Sequence, residues 1–144
     1  MRPLTIFQLC AVVLLAWLCG VKAWAANSSD FDGGGRVDQY LDFVERANQT
    51  GERVEIKGIC ASACTMKLGA RGACVHADAQ LWFHAARFED GSLNDLATRV
   101  LLRNYPPRIR AWARGSGAMN SLKFTPMSGR EAIALGVPRC GTDS

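Results

Sequence analysis

Histidine is nearly absent from this 144-residue chain: His76 and His84 are its only two. Imidazole acid–base chemistry near neutral pH therefore falls to one or both of them. No two cysteines stand in the C-x2-C spacing of a zinc knuckle, so neither a metal site nor a cofactor is expected. An excess of one charge is also lacking. There are 17 Lys and Arg against 13 Asp and Glu, with no basic stripe interleaved with aromatics, which speaks against a nucleic-acid partner. A membrane-spanning apolar run is missing too: Ile6 to Leu18 is short, and Lys22 breaks the apolar stretch before it reaches spanning length. The chain has no internal repeat and no low-complexity tract.

What is present points to export. Arg2, the Ile6–Leu18 core and the small-x-small pattern Ala23-Trp24-Ala25 read together as a signal peptide over residues 1–25. An uncleaved N-terminal anchor is the alternative. Residues 26–144 then form a single domain with no stable membrane span after cleavage. Cys10 and Cys19 fall in the leader, which leaves Cys60, Cys64, Cys74 and Cys140. An even set suits disulfide bonding in an oxidising compartment, the periplasm or the exterior. Of the three ways to pair four cysteines, joining Cys60 to Cys64 ranks last, because neighbours one helical turn apart seldom meet disulfide geometry. The expectation is that one of them bonds Cys74 and the other Cys140.

Hydrophobic periodicity predicts an alternating α/β layout. Val37, Tyr40, Leu41, Val44 and Ala47 repeat at three and four residues, a helix that Gly51 stops. Residues 53–59 alternate as one strand. A helix is expected over about 62–68, and short buried strands over 73–75 and 81–83. Ser92 opens a helix that ends before Pro106, and Pro107 opens another that closes at Gly115. Ser128 and Glu131 form a capping-box pattern ahead of a short helix ended by Gly136.

The chemistry concentrates on Cys60-Ala61-Ser62-Ala63-Cys64. A serine hydroxyl needs a base within hydrogen-bond reach and donors for a developing oxyanion. Where a strand turns into a helix, the Ala63 N–H and the helix N-terminus supply donors beside Ser62. A glycine of Gly33-Gly34-Gly35 offers a second, since a missing side chain lets backbone approach a ligand. His84, at the end of an apolar strand, is placed to take the serine proton at the same sheet edge.

In this order, Gly-Gly before a helix, a strand, Ser62 opening a helix and His84 downstream resembles the Clp protease proteolytic subunit and its crotonase-fold relatives. The stretch Phe124 to Val137 resembles that family near its C-terminal end. The chain also resembles a group of small exported bacterial proteins, through Gly34-Gly35, Cys60 to Thr65, Cys74, Phe83 to Ala86, Tyr105 to Pro107 and Cys140. The resemblance covers most of residues 33 to 140. It implies a reduced Clp-protease-like fold, a small mainly parallel sheet with flanking helices, stapled by disulfides. It also implies Ser62 as nucleophile, His84 as base, and oxyanion donors from Gly34 or Gly35 and from Ala63. No acid stands where that family's third catalytic residue falls; Asn120 is the nearest match and would orient His84 by hydrogen bonding.

The remaining candidates have plainer readings. His76 is expected at the surface or in a strand. Trp82 and Trp112 are expected as core aromatics, and Arg108, Arg110 and Arg114 as a solvated helix face. The function expected is an exported serine hydrolase acting on a peptide or small ester through an acyl-enzyme. The alternative is a catalytically inactive crotonase-like binding module of the cell envelope.

Overall fold

A computed structural model describes residues 31–141; the expected signal peptide, residues 1–25, lies outside them. The described chain is mixed α/β. It runs β1 (Phe31–Asp32), α1 (Val37–Thr50), β2 (Val54–Ile56) and β3 (Ile59–Ala61), then a 3₁₀ helix (Ser62–Gly69). There follow β4 (Ala73–Val75), β5 (Gln80–Phe83), α2 (Asp95–Asn104), α3 (Pro107–Gly115), β6 (Thr125–Ser128) and α4 (Gly129–Ala134).

The main sheet has the order β1-β3-β5-β6, with β1, β3 and β5 parallel and β6 antiparallel to β5. β2 and β4 form a separate parallel pair. The strand expected over 53–59 is thus two strands in two sheets. The alternation of Val54 and Ile56 reports which faces are buried only as far as Gly58, which adopts a left-handed φ of 60° and redirects the chain, putting Ile59 out of phase.

α1 forms where its apolar spacing predicts, burying Val44 and Ala47, with Gly51 at φ 71° donating its N–H to Ala47 O. α2 starts later than expected. Asn94, not Ser92, is the N-cap, its side chain accepting the Ala97 N–H at 3.0 Å. Ser92 instead hydrogen-bonds Asp90 in the preceding turn. The capping box of α4 is present, with Ser128 accepting from Glu131 N and Glu131 accepting from Ser128 N. The residues just before it form β6, which propensity did not reveal because Pro126 lies inside it. An edge strand tolerates that proline because one side needs no ladder donor.

The core is centred on Phe83, whose ring meets Tyr105 and Trp112 edge-on at 5.3 and 5.2 Å. The 3₁₀ helix passes through it, burying Ala63, Cys64, Thr65, Met66 and Leu68. Thr65 Oγ1 accepts a hydrogen bond from the buried Tyr105 hydroxyl at 2.7 Å, its own proton going to the Ser62 carbonyl, and burial raises the Tyr105 pKa. Arg110 is not part of a solvated face. Its Nη2 donates to the Arg103 and Tyr105 carbonyls, tying α3 to the end of α2.

Both disulfides differ from the expected pairing. Cys60 bonds Cys64 and Cys74 bonds Cys140. The expectation ranked this pair last on its spacing of one helical turn, but the chain leaves β3 through a left-handed Ser62, with φ 57°. That turn brings the Cys60 and Cys64 Cα atoms to 5.4 Å, inside the range a disulfide requires. Cys140 is carried to Cys74 by a parallel bridge between Val75 and Arg139.

Candidate functional site

Ser62 directly follows β3 and His84 directly follows β5. These strands are parallel neighbours, with Ala61 opposite Trp82. Both side chains therefore leave the sheet at the carboxyl ends of adjacent strands, where ligands of open α/β sheets bind. They border one open cavity of ≈ 940 Å³.

Ser62 is the one non-glycine residue with positive φ among the described residues. An L-residue held in this left-handed region is strained by about 1–2 kcal/mol. The Cys60–Cys64 bond encloses the turn on both sides, and Ala63 lies buried behind it. Thr65 Oγ1 also donates to the Ser62 carbonyl at 2.7 Å. Replacing Ser62 by glycine is expected to hold or raise stability, by up to about 1 kcal/mol, because glycine enters this region freely. Urea titration of the two proteins measures this. A loss above about 1 kcal/mol would mean that the serine side chain itself holds the turn together.

Gly34 packs directly on that turn. A Cβ there would lie 2.6 Å from Ala61 O, 2.8 Å from Ser62 Cβ and 2.9 Å from Ala63 N, and its φ is 79°. The loop is pinned by Asp32, whose carboxylate accepts the Gly34 N–H at 3.0 Å, the Tyr40 hydroxyl and Lys67 Nζ at 2.7 Å. Burial acts to raise the Asp32 pKa. The hydrogen bonds from Lys67, Tyr40 and Gly34, with the Lys67 charge, outweigh it and hold the group below its ordinary 3.8. Lys67 sits on the 3₁₀ helix, so one carboxylate couples β1, the glycine loop, α1 and the segment that begins at Ser62. No sequence motif announces this clamp; an acid two residues ahead of the second glycine is its only linear trace.

The Gly34 N–H is therefore committed to Asp32 and is not a free oxyanion donor, contrary to expectation. Gly35 lines the cavity. Ala63, the other expected donor, is fully buried with its N packed beside Gly34 and does not line the cavity, so Gly35 is the one expected backbone donor that borders it uncommitted.

His84 Nδ1 lies 2.6 Å from Ala85 O. A carbonyl only accepts, so Nδ1 carries the proton and Nε2 presents a lone pair in the neutral ring. The ring stands edge-on to Phe124 at 4.8 Å. Burial lowers the His84 pKa from 6.5, with the Ala85 hydrogen bond opposing and the Arg87 charge adding to the fall. The ring is thus a neutral base at pH 7. Asn120 does not orient it. That residue is exposed in the turn after α3, its side-chain amide lies beside Gly117, and it is not among the residues lining the cavity. No hydrogen bond joins Ser62 to His84 among the described residues.

Among the described residues one group has the make-up of metal ligands: Glu55, His76 and Cys140, with ligand atoms within 4.8 Å of one another. The Cys140 sulfur is bonded to Cys74, which leaves only His76 and Glu55, 3.3 Å apart. A lone His–carboxylate contact at the surface is not a metal centre. No described helix is long and apolar enough to cross a membrane. The chain matches no protein-family model, and no curated protein matches it.

Proposed function

We propose that this protein is an exported serine hydrolase with Ser62 as nucleophile and His84 as base, on a reduced crotonase/Clp-protease-like arrangement. The observation that carries the reading is the strained, left-handed Ser62 at a strand-to-helix turn, bordering the same cavity as a neutral histidine. Strain of this kind at a half-buried polar residue beside a cavity is characteristic of nucleophile turns. The two disulfides agree with export into an oxidising compartment.

In the proposed reaction His84 Nε2 takes the proton from Ser62 Oγ as Oγ bonds the substrate carbonyl carbon. The carbonyl electron pair moves to oxygen, for which the Gly35 N–H at the cavity wall is the proposed donor. Collapse expels the leaving group, to which His84 returns the proton, and water then releases the acyl group by the same path. The Ala85 carbonyl takes the orienting role of the usual acid but supplies no full negative charge, so the base is weaker than in a complete triad. The missing Ser62–His84 hydrogen bond is compatible with this scheme, since catalytic contacts in unliganded sites are often long.

Labelling of the folded, oxidised protein with a fluorophosphonate probe tests the reading. A covalent adduct is expected on the wild type and on neither Ser62→Ala nor His84→Ala. The labelling rate depends on neutral His84. A lowered pKa therefore predicts a rate that falls as pH drops through a folded-state pKa below the ordinary imidazole value of 6.5. An unlabelled wild type would instead favour a binding module, the reading suggested by the lack of a direct Ser62–His84 contact.

A further inference from the structure

The cavity at Ser62 narrows the choice between a peptide and an ester substrate. Its walls are apolar, with Leu41, Val100, Phe88, Leu96, Leu122 and Phe124 along them. The last four are also exposed. Six large apolar side chains are exposed among the described residues, and these four of them border one opening. Scattered exposed apolar residues need no explanation, but a patch at the mouth of a cleft marks a binding surface.

The polar groups of the cleft are largely committed to one another. Arg36 forms a two-point pair with Asp38, Asn94 caps α2, and the Gly34 N–H is bound by Asp32. The strands that deliver the site offer no free edge either. β3 is paired with β1 and β5, and β5 with β3 and β6. An extended peptide gains much of its affinity by adding to a strand edge, and here it would exchange hydrated amides for apolar walls. That transfer is unfavourable without hydrogen bonds in return. A hydrocarbon chain incurs no such cost and gains from every methylene it buries. The lining carries the paired Arg36 and Asp38 together with Arg87 and Glu89, two charges of each sign, so it has no net charge to select an ionic group.

We propose that the cleft holds the acyl chain of a lipid-like carboxylic ester, its carbonyl at Ser62 and its alkyl tail along Leu41, Leu96 and Val100. This rests on the hydrolase reading. The reaction is ester hydrolysis: the acyl carbon–oxygen bond breaks, the alcohol leaves with a proton, and water supplies the oxygen of the released carboxylate.

Two measurements test the proposal, one of them independent of turnover. The first is kcat/KM for the p-nitrophenyl esters of acetate, butyrate, octanoate and dodecanoate. A fully buried methylene favours binding by roughly fourfold, so at least a tenfold rise from acetate to octanoate is expected. The second is fluorescence titration of 11-(dansylamino)undecanoic acid into Ser62→Ala, which needs no catalysis. Saturable binding is expected, weakened at least tenfold by adding Leu96→Glu. Leu96 is 65% exposed, so that change places no charge in the core. Ala134→Glu, on an exposed residue of α4 outside the cavity lining, should leave the titration unchanged.

Ester turnover with a flat chain-length profile, or a faster rate on peptides than on octanoate, overturns the acyl-chain proposal and leaves the hydrolase standing. Dansyl-chain binding that Leu96→Glu weakens, with no turnover of any ester, supports the chain site and removes the hydrolase. Binding equally affected by Ala134→Glu overturns the assignment to this cleft.

Discussion

A Cys74→Ala/Cys140→Ala double variant is expected to lose about 4 kcal/mol of unfolding free energy. The bond joins residues 66 apart in sequence, and closing so long a loop removes much of the freedom of the unfolded chain. A domain of this size is stable by only about 5–15 kcal/mol, so the loss takes a large share. Cys60→Ala/Cys64→Ala opens a loop with a separation of only 4, and the same loop-entropy relation gives about 2 kcal/mol. Urea unfolding of the oxidised wild type and both double variants supplies the comparison. The two bonds also separate in function. Cys60–Cys64 brackets Ser62, so its removal should slow fluorophosphonate labelling more than its stability loss explains. Cys74–Cys140 ties the chain end to β4, and a native fraction lacking it should label normally. Equal stability losses would count against the loop-entropy account. Unchanged labelling without Cys60–Cys64 would show that this bond does not position the serine.

Gly34→Ala is expected to be the most damaging single substitution at the site. Two effects combine there. The residue has φ 79°, which costs a side-chain-bearing residue about 1–2 kcal/mol. The new Cβ also meets backbone atoms of the Ser62 turn below 3.0 Å, and backbone cannot rotate aside as a side-chain tip can. A stability loss of at least about 2 kcal/mol is expected, with Ser62 labelling abolished as the loop and the turn separate. Gly51→Ala is the control. Its φ is 71° with nothing within 4 Å of the added Cβ, so it carries the conformational cost alone, about 1 kcal/mol, with labelling intact. If the two variants melt together and label alike, Gly34 serves only as a flexible lead into α1.

The helices were legible because each announces itself locally. The spacing of Val37, Tyr40, Leu41 and Val44, the Gly51 stop, Pro107 opening α3 and the Ser128–Glu131 box all act within a few residues. Strands fared less well. The alternation over 53–59 states which side chains face inward but not which neighbour pairs, so Gly58 was the only local mark of the division into β2 and β3. β1 is two residues long and β6 contains a proline, so neither carries a strand pattern.

The candidate site divides along the same line. That Ser62 ends a strand and opens a helix, and that His84 ends a buried strand, was readable from residue type and order. Their arrival at adjacent strand ends depends on the parallel pairing of β3 with β5, a long-range contact. The sequence also provided an even cysteine set suited to disulfides. It did not provide the partners, because the left-handed turn at Ser62 made the improbable Cys60–Cys64 pair accessible. The Asp32 clamp, the committed Gly34 N–H and the Ala85 carbonyl behind His84 all emerged from tertiary contacts. Local chemistry decides which residues are capable of reacting. Only the packing of distant segments decides which of their donors and acceptors are left free to do so.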